Sequence, residues 1–315
     1  MKETVRWLLS GAEAVTIFDK CIFFIVKVVY LGLRTSLRIT LGKERRDQLC
    51  MKHDLDFGTL WYKFYNILKL SNEPLLKLKM PKYNFQFYCR NNKDDFTTMT
   101  MREDDIIRQF HPKQGDIVVD VGAHIGKYTI IASKRVGENG KVIAIEAHPG
   151  NYEILNRNIE LNGLTNITTL NYAVYSKEAK IKLFLPDEES GYTMHHSVMF
   201  NYLSSKYPLQ GKENEKFIEV NANTLDNLLQ KNRTSLEVNW IKIDVEGAEF
   251  EVLKGAINIL SKSKDVSLLI EVHNPYDTNH YKQIIDFLKS YNFKIEFEKI
   301  YESGERHIIV RKANS

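Results

Sequence analysis

The sequence predicts an α/β fold built on a doubly wound, mostly parallel sheet, and three observations lead to this prediction. Between residues 116 and 290, short apolar runs typical of buried strands alternate with helical stretches of about 10 to 15 residues. A glycine-rich turn follows the first of these runs, as is common where a parallel strand leads into a helix. The last two strands, 293–300 and 306–312, have no helix between them, which predicts a C-terminal antiparallel hairpin.

The part of the chain before this alternation is predicted to form a helical N-terminal extension (1–70) and a β-containing lead-in (71–115). In the extension, the apolar run CIFFIVKVVYLGL (21–33) is interrupted by Lys27. It is shorter than the roughly 20 apolar residues of a membrane-spanning helix, and two acids precede it, which is unusual for a signal peptide. We expect a helix packed on the main domain. The basic residues after the run leave peripheral contact with a membrane surface as the alternative.

The remaining elements follow in order, and the main domain is predicted to span residues 116–312. The predicted strands are 84–90 and 96–101 in the lead-in, then 116–121, 141–147, 167–174, 180–185, 216–223, 238–245 and 266–273. The predicted helices are 127–136, 151–161, one that begins at Thr224, 247–260 and 279–290. Residues 186–215 break the alternation, and we expect this insertion to fold over the site as a lid.

Composition limits the compartment and the class of partner. The net charge of +4 is mild, and we see no long arginine-rich run that would indicate a nucleic-acid-binding tail. The three cysteines, Cys21, Cys50 and Cys89, lie far apart and form no CxxC pair. This pattern favours a reducing compartment over a disulfide framework or a zinc ribbon. We therefore expect a cytoplasmic protein, with or without peripheral attachment to a membrane, and no nucleic-acid partner.

The turn after the first strand of the domain indicates the kind of cofactor. It reads GAHIG, with Gly122 and Gly126 four positions apart, and so matches neither GxGxxG nor a Walker A loop. Asp120, just before the turn, would repel a phosphate but suits a ligand with a positive amino group. The next strand ends in Glu146, whose carboxylate can accept both hydroxyls of a ribose. Together these residues predict binding of an adenosyl amino acid, S-adenosylmethionine (SAM).

Five segments extend this pattern in continuous order between about residues 95 and 275. They are VDVGAHIGKYT, IAIEAHPGNYEILNRNIELNGL, NANTLDNLL, IKIDVEGAEFEVLKGA and LLIEVH. Together they resemble the FkbM-type family of SAM-dependent methyltransferases. The resemblance implies a class I SAM-methyltransferase (Rossmann-like) fold and O-methylation of a hydroxyl, often on a sugar, polyketide or glycolipid. The expected partner is therefore a small-molecule, glycan or glycolipid acceptor.

The resemblance also assigns roles to individual residues. Asp120, Gly122 and Gly126 would form the SAM loop, and Glu146 would hold the ribose. The chain departs from the family pattern at His124, where asparagine is usual, and at Glu-Ala-His-Pro (146–149), where Glu-Pro-Asn-Pro is usual. We expect His124 to shape the turn or to contact the methionine end of SAM. The full set expected to bind SAM is Asp120, Gly122, Ala123, His124, Gly126, Tyr128, Thr129, Glu146, Ala147 and Ala173.

Transfer of a methyl group to a hydroxyl also needs a group that takes the proton. The resemblance places Asp244 and Glu246, which follow one predicted strand, beside the transferred methyl group, and His273 closes the next strand. These three residues form the predicted catalytic set. In one interpretation His273, or His195 in the insertion, is the general base, and Asp244 or Glu246 orients it.

Two other interpretations of these residues remain open. In one, Asp244 with Glu271 or His273 binds a divalent cation, magnesium or manganese, that lowers the pKa of the acceptor hydroxyl. In the other, Glu246 and Glu249 only stabilise the N-terminus of the helix that follows. The predicted substrate or lid contacts in the insertion are His195, His196 and Tyr192.

Two further functions are weighed against an O-methyltransferase. A nucleic-acid methyltransferase is disfavoured because no Asn-Pro-Pro-Tyr signature follows the fourth strand, and because the net charge is mild. A non-catalytic binding module with this fold would be expected to have lost Gly122, Glu146 and Asp244, and all three are present. The sequence therefore favours catalysis.

Overall fold

The computed structural model describes residues 83–90, 103–185, 216–273, 279–301 and 304–313, together with 13–14, 28–33, 35–36, 38–40, 45 and 75–80. The insertion 186–215, with Tyr192, His195 and His196, lies outside the described residues, as does the predicted strand 96–101. The described residues fall into two compact units. The larger unit begins at Glu103, ahead of the predicted domain boundary at residue 116.

The smaller unit contains a three-stranded antiparallel sheet with the order β1-β2-β3. Its strands are β1 (Glu13–Ala14), β2 (Leu75–Met80) and β3 (Phe85–Arg90). Alternate side chains of β3 are buried, as expected for a strand that packs on one face. This confirms the predicted strand 84–90 and shows that β2 is its partner.

Within the segment that was predicted to be a helical extension, the described residues are of two kinds. Residues 28–33 are helical, whereas residues 13–14 form the edge strand β1. Among the helices of the described residues, none is both long and apolar enough to cross a membrane.

The larger unit is built on a seven-stranded sheet and a three-stranded sheet. Its strands are β4 (Ile117–Val121), β5 (Lys141–Ile145), β6 (Ile167–Leu170), β7 (Ala173–Val174), β8 (Ala179–Phe184), β9 (Phe217–Asn223), β10 (Trp240–Ile243), β11 (Ser267–Val272), β12 (Phe293–Ile300) and β13 (Arg306–Lys312). Its helices are α1 (Asp104–Gln109), α2 (Lys127–Val136), α3 (Pro149–Leu161), α4 (Leu225–Lys231), α5 (Glu249–Lys254), α6 (Ile257–Lys262) and α7 (His280–Ser290).

The large sheet has the strand order β6-β5-β4-β10-β11-β13-β12. The first five of these strands are parallel, and β13 is antiparallel to both of its neighbours. This confirms the doubly wound sheet with a C-terminal hairpin. The chain runs outward from β4 to β6 and then returns to place β10 on the other side of β4. The switch point between β4 and β10 is where such sheets bind ligands.

The two faces of the large sheet have different characters. One face carries the main hydrophobic core, in which α4, α5, α6 and α7 pack on side chains such as Val119 and Ile241. On the other face, α3 packs on Ala144 of β5. The ring of Phe110, just after α1, meets that of Trp240 at 5.2 Å between centroids. Because side chains alternate along a strand, this second face also carries the charged residues of β4 and β10.

The predicted strand 167–174 is divided in the structure. It forms β6 in the large sheet and β7 in the small sheet, which has the order β7-β9-β8. Between the two strands, the Asn171 side chain donates to the backbone carbonyls of Glu146 and Ala147, at 2.8 and 3.0 Å. These bonds fix the chain where it leaves the large sheet.

The predicted helix 247–260 is wrong as one element, because it forms α5 and α6 with a break at Gly255. A Cβ atom on Gly255 would lie 2.3 Å from a backbone carbonyl oxygen that follows β7, so the chain is packed closely there. The Asp226 carboxylate accepts the backbone N–H groups of Asn258 and Ile259, at 2.9 and 3.0 Å. It thereby caps the N-terminus of α6 and stabilises a new helix start.

Candidate functional site

The glycine turn lies between β4 and α2, at the switch point of the sheet. Gly122 and Gly126 have φ values of +76° and +103°, in the region that favours glycine. A Cβ atom on Gly122 would lie 1.8 Å from the carbonyl oxygen of Asp244, so no larger residue fits without movement of the backbone. The N–H groups of Gly122 and Ala123 both donate to the carbonyl oxygen of Ile145, at 3.0 Å each. The turn is therefore fixed by backbone contacts to the ends of β5 and β10.

Glu146 follows β5 and is held by the turn. Its Oε2 accepts the backbone N–H of His124 at 2.8 Å, and its Oε1 accepts that of His148 at 2.9 Å. Burial raises the pKa of Glu146, and these two hydrogen bonds oppose that rise. His124 has a φ of +50°, so its backbone adopts a left-handed conformation within the turn while its N–H bonds to the glutamate. A carboxylate oxygen can accept two hydrogen bonds, which leaves Glu146 able to accept from a ligand.

Asp120 lies beneath the turn. It is only 1 % exposed, and its Oδ2 accepts the Thr129 hydroxyl at 2.6 Å. Its Oδ1 lies 3.6 Å from Nζ of Lys242, a residue that was not predicted. Burial raises the pKa of Asp120, and the lysine opposes this effect. Asp120 and Thr129 therefore support the turn from below.

The other residues of the predicted SAM set lie within the turn or in neighbouring elements. Ala123, Tyr128 and Ala173 are buried, and Ala147 packs against the hydrophobic cluster that contains Ala173. The Tyr128 hydroxyl donates to Oε2 of Glu103 at 3.2 Å.

The predicted catalytic residues meet at the ends of β10 and β11. Nε2 of His273 lies 3.5 Å from Oε2 of Glu246 and 3.9 Å from Oδ1 of Asp244. Glu246 has a φ of +52°, and Gly247 has a φ of +95°, so a tight left-handed turn brings these carboxylates to the histidine. The predicted grouping of Asp244, Glu246 and His273 is therefore present in space.

The same three residues have the spacing of a candidate cation site. One ligand atom from each of Asp244, Glu246 and His273 lies within 4.8 Å of the others. Glu271, an alternative ligand in the sequence prediction, belongs to a second such group with Glu103 and His307. Carboxylate and imidazole donors suit several divalent cations.

Glu249 orients the histidine. It is 0 % exposed, and its carboxylate accepts hydrogen bonds from Nδ1 of His273 at 2.7 Å, Nε2 of His280 at 2.8 Å and the N–H of Gly247 at 2.9 Å. Burial alone would raise the pKa of Glu249, but the bonds from the two histidines lower it to about 2. Because a carboxylate only accepts, Nδ1 of His273 carries a proton and Nε2 faces Glu246 and Asp244. The sequence predicted that Glu249 stabilises a helix N-terminus. Of its three hydrogen bonds, only the one from the N–H of Gly247 corresponds to that role.

The charge on His273 depends on its carboxylate neighbours. Burial by itself lowers the pKa of His273, but Glu246, Glu249 and Glu271 outweigh it and raise the pKa well above the usual value of 6.5. These carboxylates therefore favour the charged form of the ring.

A second buried ionic group borders the site, and none of its links was predicted. Glu103 accepts a hydrogen bond from Lys127 at 2.7 Å, and its other oxygen lies 3.6 Å from Nε2 of His307. The same nitrogen of His307 lies 3.1 Å from Oε2 of Glu271. Burial opposes ionisation of Glu103, but Lys127 and His307 outweigh it and lower its pKa. Glu103 precedes α1 and His307 lies on β13, so no local sequence pattern connects them.

Comparison with known families gives a match to the larger unit. The profile of the methyltransferase FkbM domain matches residues 120–295, which is more than half of the chain. A crystal structure of the methyltransferase FkbM from Methylobacillus flagellatus is 16% identical, with a TM-score of 0.42, and the match covers 62% of this chain and 43% of that chain.

Three curated proteins are similar in sequence. Methyltransferase sdnD of Sordaria araneosa is 30% identical over 44% of this chain, and Methyltransferase 1 of Beauveria bassiana is 26% identical over 44% of it. The matches span 59% and 57% of those two proteins, less than two thirds of their length. Hexuronic acid methyltransferase AglP of Haloferax volcanii is 27% identical over 67% of this chain and 78% of its own length.

Proposed function

The chain belongs to the methyltransferase FkbM domain family, and we propose from this and from the site that it is a SAM-dependent O-methyltransferase. The observation that carries the proposal is a convergence of three features at the switch point of the sheet. They are the Gly122 turn, the Glu146 carboxylate and the His273 cluster, each at the carboxyl end of a parallel strand. A cofactor and an acceptor can therefore share one cleft.

In this proposal the cofactor binds at the ends of β4 and β5. The backbone of Gly122 lies against that of Asp244, which fixes the turn at the switch point, and the buried Glu146 carboxylate is an acceptor for ribose hydroxyls. SAM, when bound, supplies an electrophilic methyl group on a positively charged sulfur. Asp244, which follows β10 and is 29 % exposed at its side chain, is a carboxylate next to the turn that is open to a ligand.

His273 takes the proton of the acceptor hydroxyl. Glu249 holds its Nδ1, so the ring acts through Nε2, which faces the cleft carboxylates. The protonated form of the ring is disfavoured when another positive charge enters the same cleft. The neutral ring could then accept the hydroxyl proton, and the cofactor would supply the methyl group and leave as the neutral thioether.

A divalent cation at Asp244, Glu246 and His273 is the competing mechanism. Their donor atoms fit such an ion, which would lower the pKa of the acceptor hydroxyl. We favour the metal-free form because the Lys242 ammonium already lies 3.0 Å from Oδ2 of Asp244 and supplies positive charge there. Addition of a chelator to the active enzyme separates the two mechanisms: full activity supports the histidine base, and a loss that magnesium or manganese restores supports the cation.

The acceptor is proposed to be a hydroxyl on a sugar, a glycolipid or another small molecule. The name of one relative, a hexuronic acid methyltransferase, supports a sugar. The test begins with calorimetric titration of the protein with SAM, followed by incubation with labelled SAM and fractionated small molecules and glycans. Mass spectrometry of the product then locates the methyl group. An O-methyl product supports the proposal, while failure to bind SAM, or an N-methyl product, contradicts it.

A further inference from the structure

Lys242 is the one charged residue in a strand that is otherwise apolar, and it is 5 % exposed. Lysine is rarely buried to this extent, because removing an ammonium from water is costly unless it is paired. In the sheet, Lys242 of β10 is the register partner of Asp120 on β4. Its position at the switch point places it between the cofactor side and the acceptor side of the cleft.

The Lys242 ammonium contacts both sides of the cleft. Nζ donates to the carbonyl oxygen of Gly122 at 3.1 Å and to Oδ2 of Asp244 at 3.0 Å, and it lies 3.6 Å from Oδ1 of Asp120. Two of the three N–H donors of the ammonium therefore form hydrogen bonds, and Asp120 is a buried ion-pair partner. One donor thus reaches the cofactor turn, and another reaches the carboxylate of the acceptor side.

These contacts set the direction of the Asp244 side chain. Because Lys242 holds Oδ2, the other oxygen, Oδ1, is the one that faces Nε2 of His273 at 3.9 Å. A Cβ atom on Gly122 would meet the backbone of Asp244, so the two turns are in close contact and have little room to adjust separately.

We propose that Lys242 is a positioning residue that joins the Gly122 turn to Asp244, so that cofactor binding depends on this buried ammonium. The inference rests on the proposed function. It goes beyond that function in assigning a role to a buried lysine that supports the cleft from below.

The experiment is a double-mutant cycle that separates positioning from charge balance. Lys242→Met keeps the apolar stem and removes the ammonium, Asp120→Asn removes the facing charge, and the double variant removes both. Each is compared with the unaltered protein for the dissociation constant of SAM by calorimetry and for Tm. Lys231→Met is the matched control, because Lys231 is 57 % exposed at its side chain and forms a surface ion pair with Glu178.

Lys242→Met is expected to lower Tm and to weaken SAM binding about tenfold or more, since charge-assisted hydrogen bonds are lost. In the Asp120→Asn background the Tm penalty of Lys242→Met should shrink, because no buried carboxylate is left without its partner. The affinity penalty should persist, because Gly122 and Asp244 still lack their donor.

Other outcomes overturn the assignment. If both penalties shrink together, Lys242 is only a structural counter-charge, and if SAM affinity is unchanged in both backgrounds, it positions nothing. If Lys242→Met does not fold, the comparison of the double variant with Asp120→Asn alone still measures the affinity penalty. If the unaltered protein binds no SAM, the proposed function itself fails, and the assignment fails with it.

Discussion

The proposed site has a cofactor end at the Gly122 turn and an acceptor end at the His273 cluster, and the two ends are stabilised in different ways. At the cofactor end, the contacts are made mainly by the backbone: Gly122 and Ala123 bond to the end of β5, and Glu146 accepts N–H groups of the main chain. At the acceptor end, side chains hold side chains, as Glu249 does with the imidazoles of His273 and His280. The first end depends on backbone shape, and the second on the protonation of each ionisable partner. Substitutions at the first end should therefore change folding and SAM affinity, and those at the second should change kcat and its pH dependence.

The largest effect is expected at Gly122. In Gly122→Ala the new Cβ would lie 1.8 Å from a backbone oxygen, at a φ of +76°, so both folding and SAM binding should be severely impaired. Gly163→Ala is the matched control, with a φ of +61° and no atom within 4 Å of the added Cβ. It should cost only about 1 kcal/mol of unfolding free energy. Thermal unfolding and calorimetry measure both, and equal effects of the two substitutions would contradict the backbone-held description of this end.

The next largest effect is expected at the acceptor end. His273→Gln should lower kcat by a factor of about 10² to 10⁴, the usual contribution of a general base. SAM affinity should change little, because the ring contacts the carboxylates of the acceptor side. Single-turnover rates and calorimetry separate the two quantities. If SAM affinity fell as much as kcat, the two ends would not act independently.

Glu146→Gln is expected to have a smaller effect than His273→Gln, and it should change SAM affinity while kcat is kept. The amide keeps the shape but places an NH₂ group where the carboxylate accepts backbone N–H groups, so the turn and the proposed ribose contact should both weaken. SAM binding should weaken about tenfold to a hundredfold, while kcat at saturating SAM should stay close to that of the unaltered enzyme. Glu153→Gln serves as the control, because Glu153 is exposed and pairs with Arg157 one helical turn away. If affinity is retained, Glu146 does not bind the ribose.

The same contrast explains what the sequence could predict. The Gly122 turn and Glu146 are local features, because a strand, a glycine turn and a second strand occur in a fixed order along the chain. Lys242 also leaves a local signal, since it is a single charge within the buried run Trp240–Ile243, but two of its three oxygen partners come from β4 and the turn after it. Glu249 stands in the sequence only as an acid near a helix N-terminus, and its two histidines lie beyond the next strand.

Other features had no local signal. Glu103 and His307 meet at the site only because α1 and β13 approach the same end of the sheet. The break of the predicted helix at Gly255 depends on a cap from Asp226, which lies in another helix. Such contacts follow from tertiary structure, and periodicity along the chain does not reveal them.

The smallest expected effect is a shift in pH dependence, and it tests whether side-chain charges tune the acceptor end. In the proposed mechanism activity requires neutral His273, whose pKa is lowered by burial but raised more strongly by Glu246 and the other carboxylates. The rate should therefore rise with pH through an apparent pKa above 6.5 and be low below it. Glu246→Gln removes the first of the charges that raise this pKa, so the rise in rate should move to lower pH. Glu251→Gln is the control, because the Glu251 carboxylate contacts Ser176 and Lys254. This substitution should leave the pH profile unchanged. A profile that is identical in all three proteins would mean that His273 is not the group that must lose its proton.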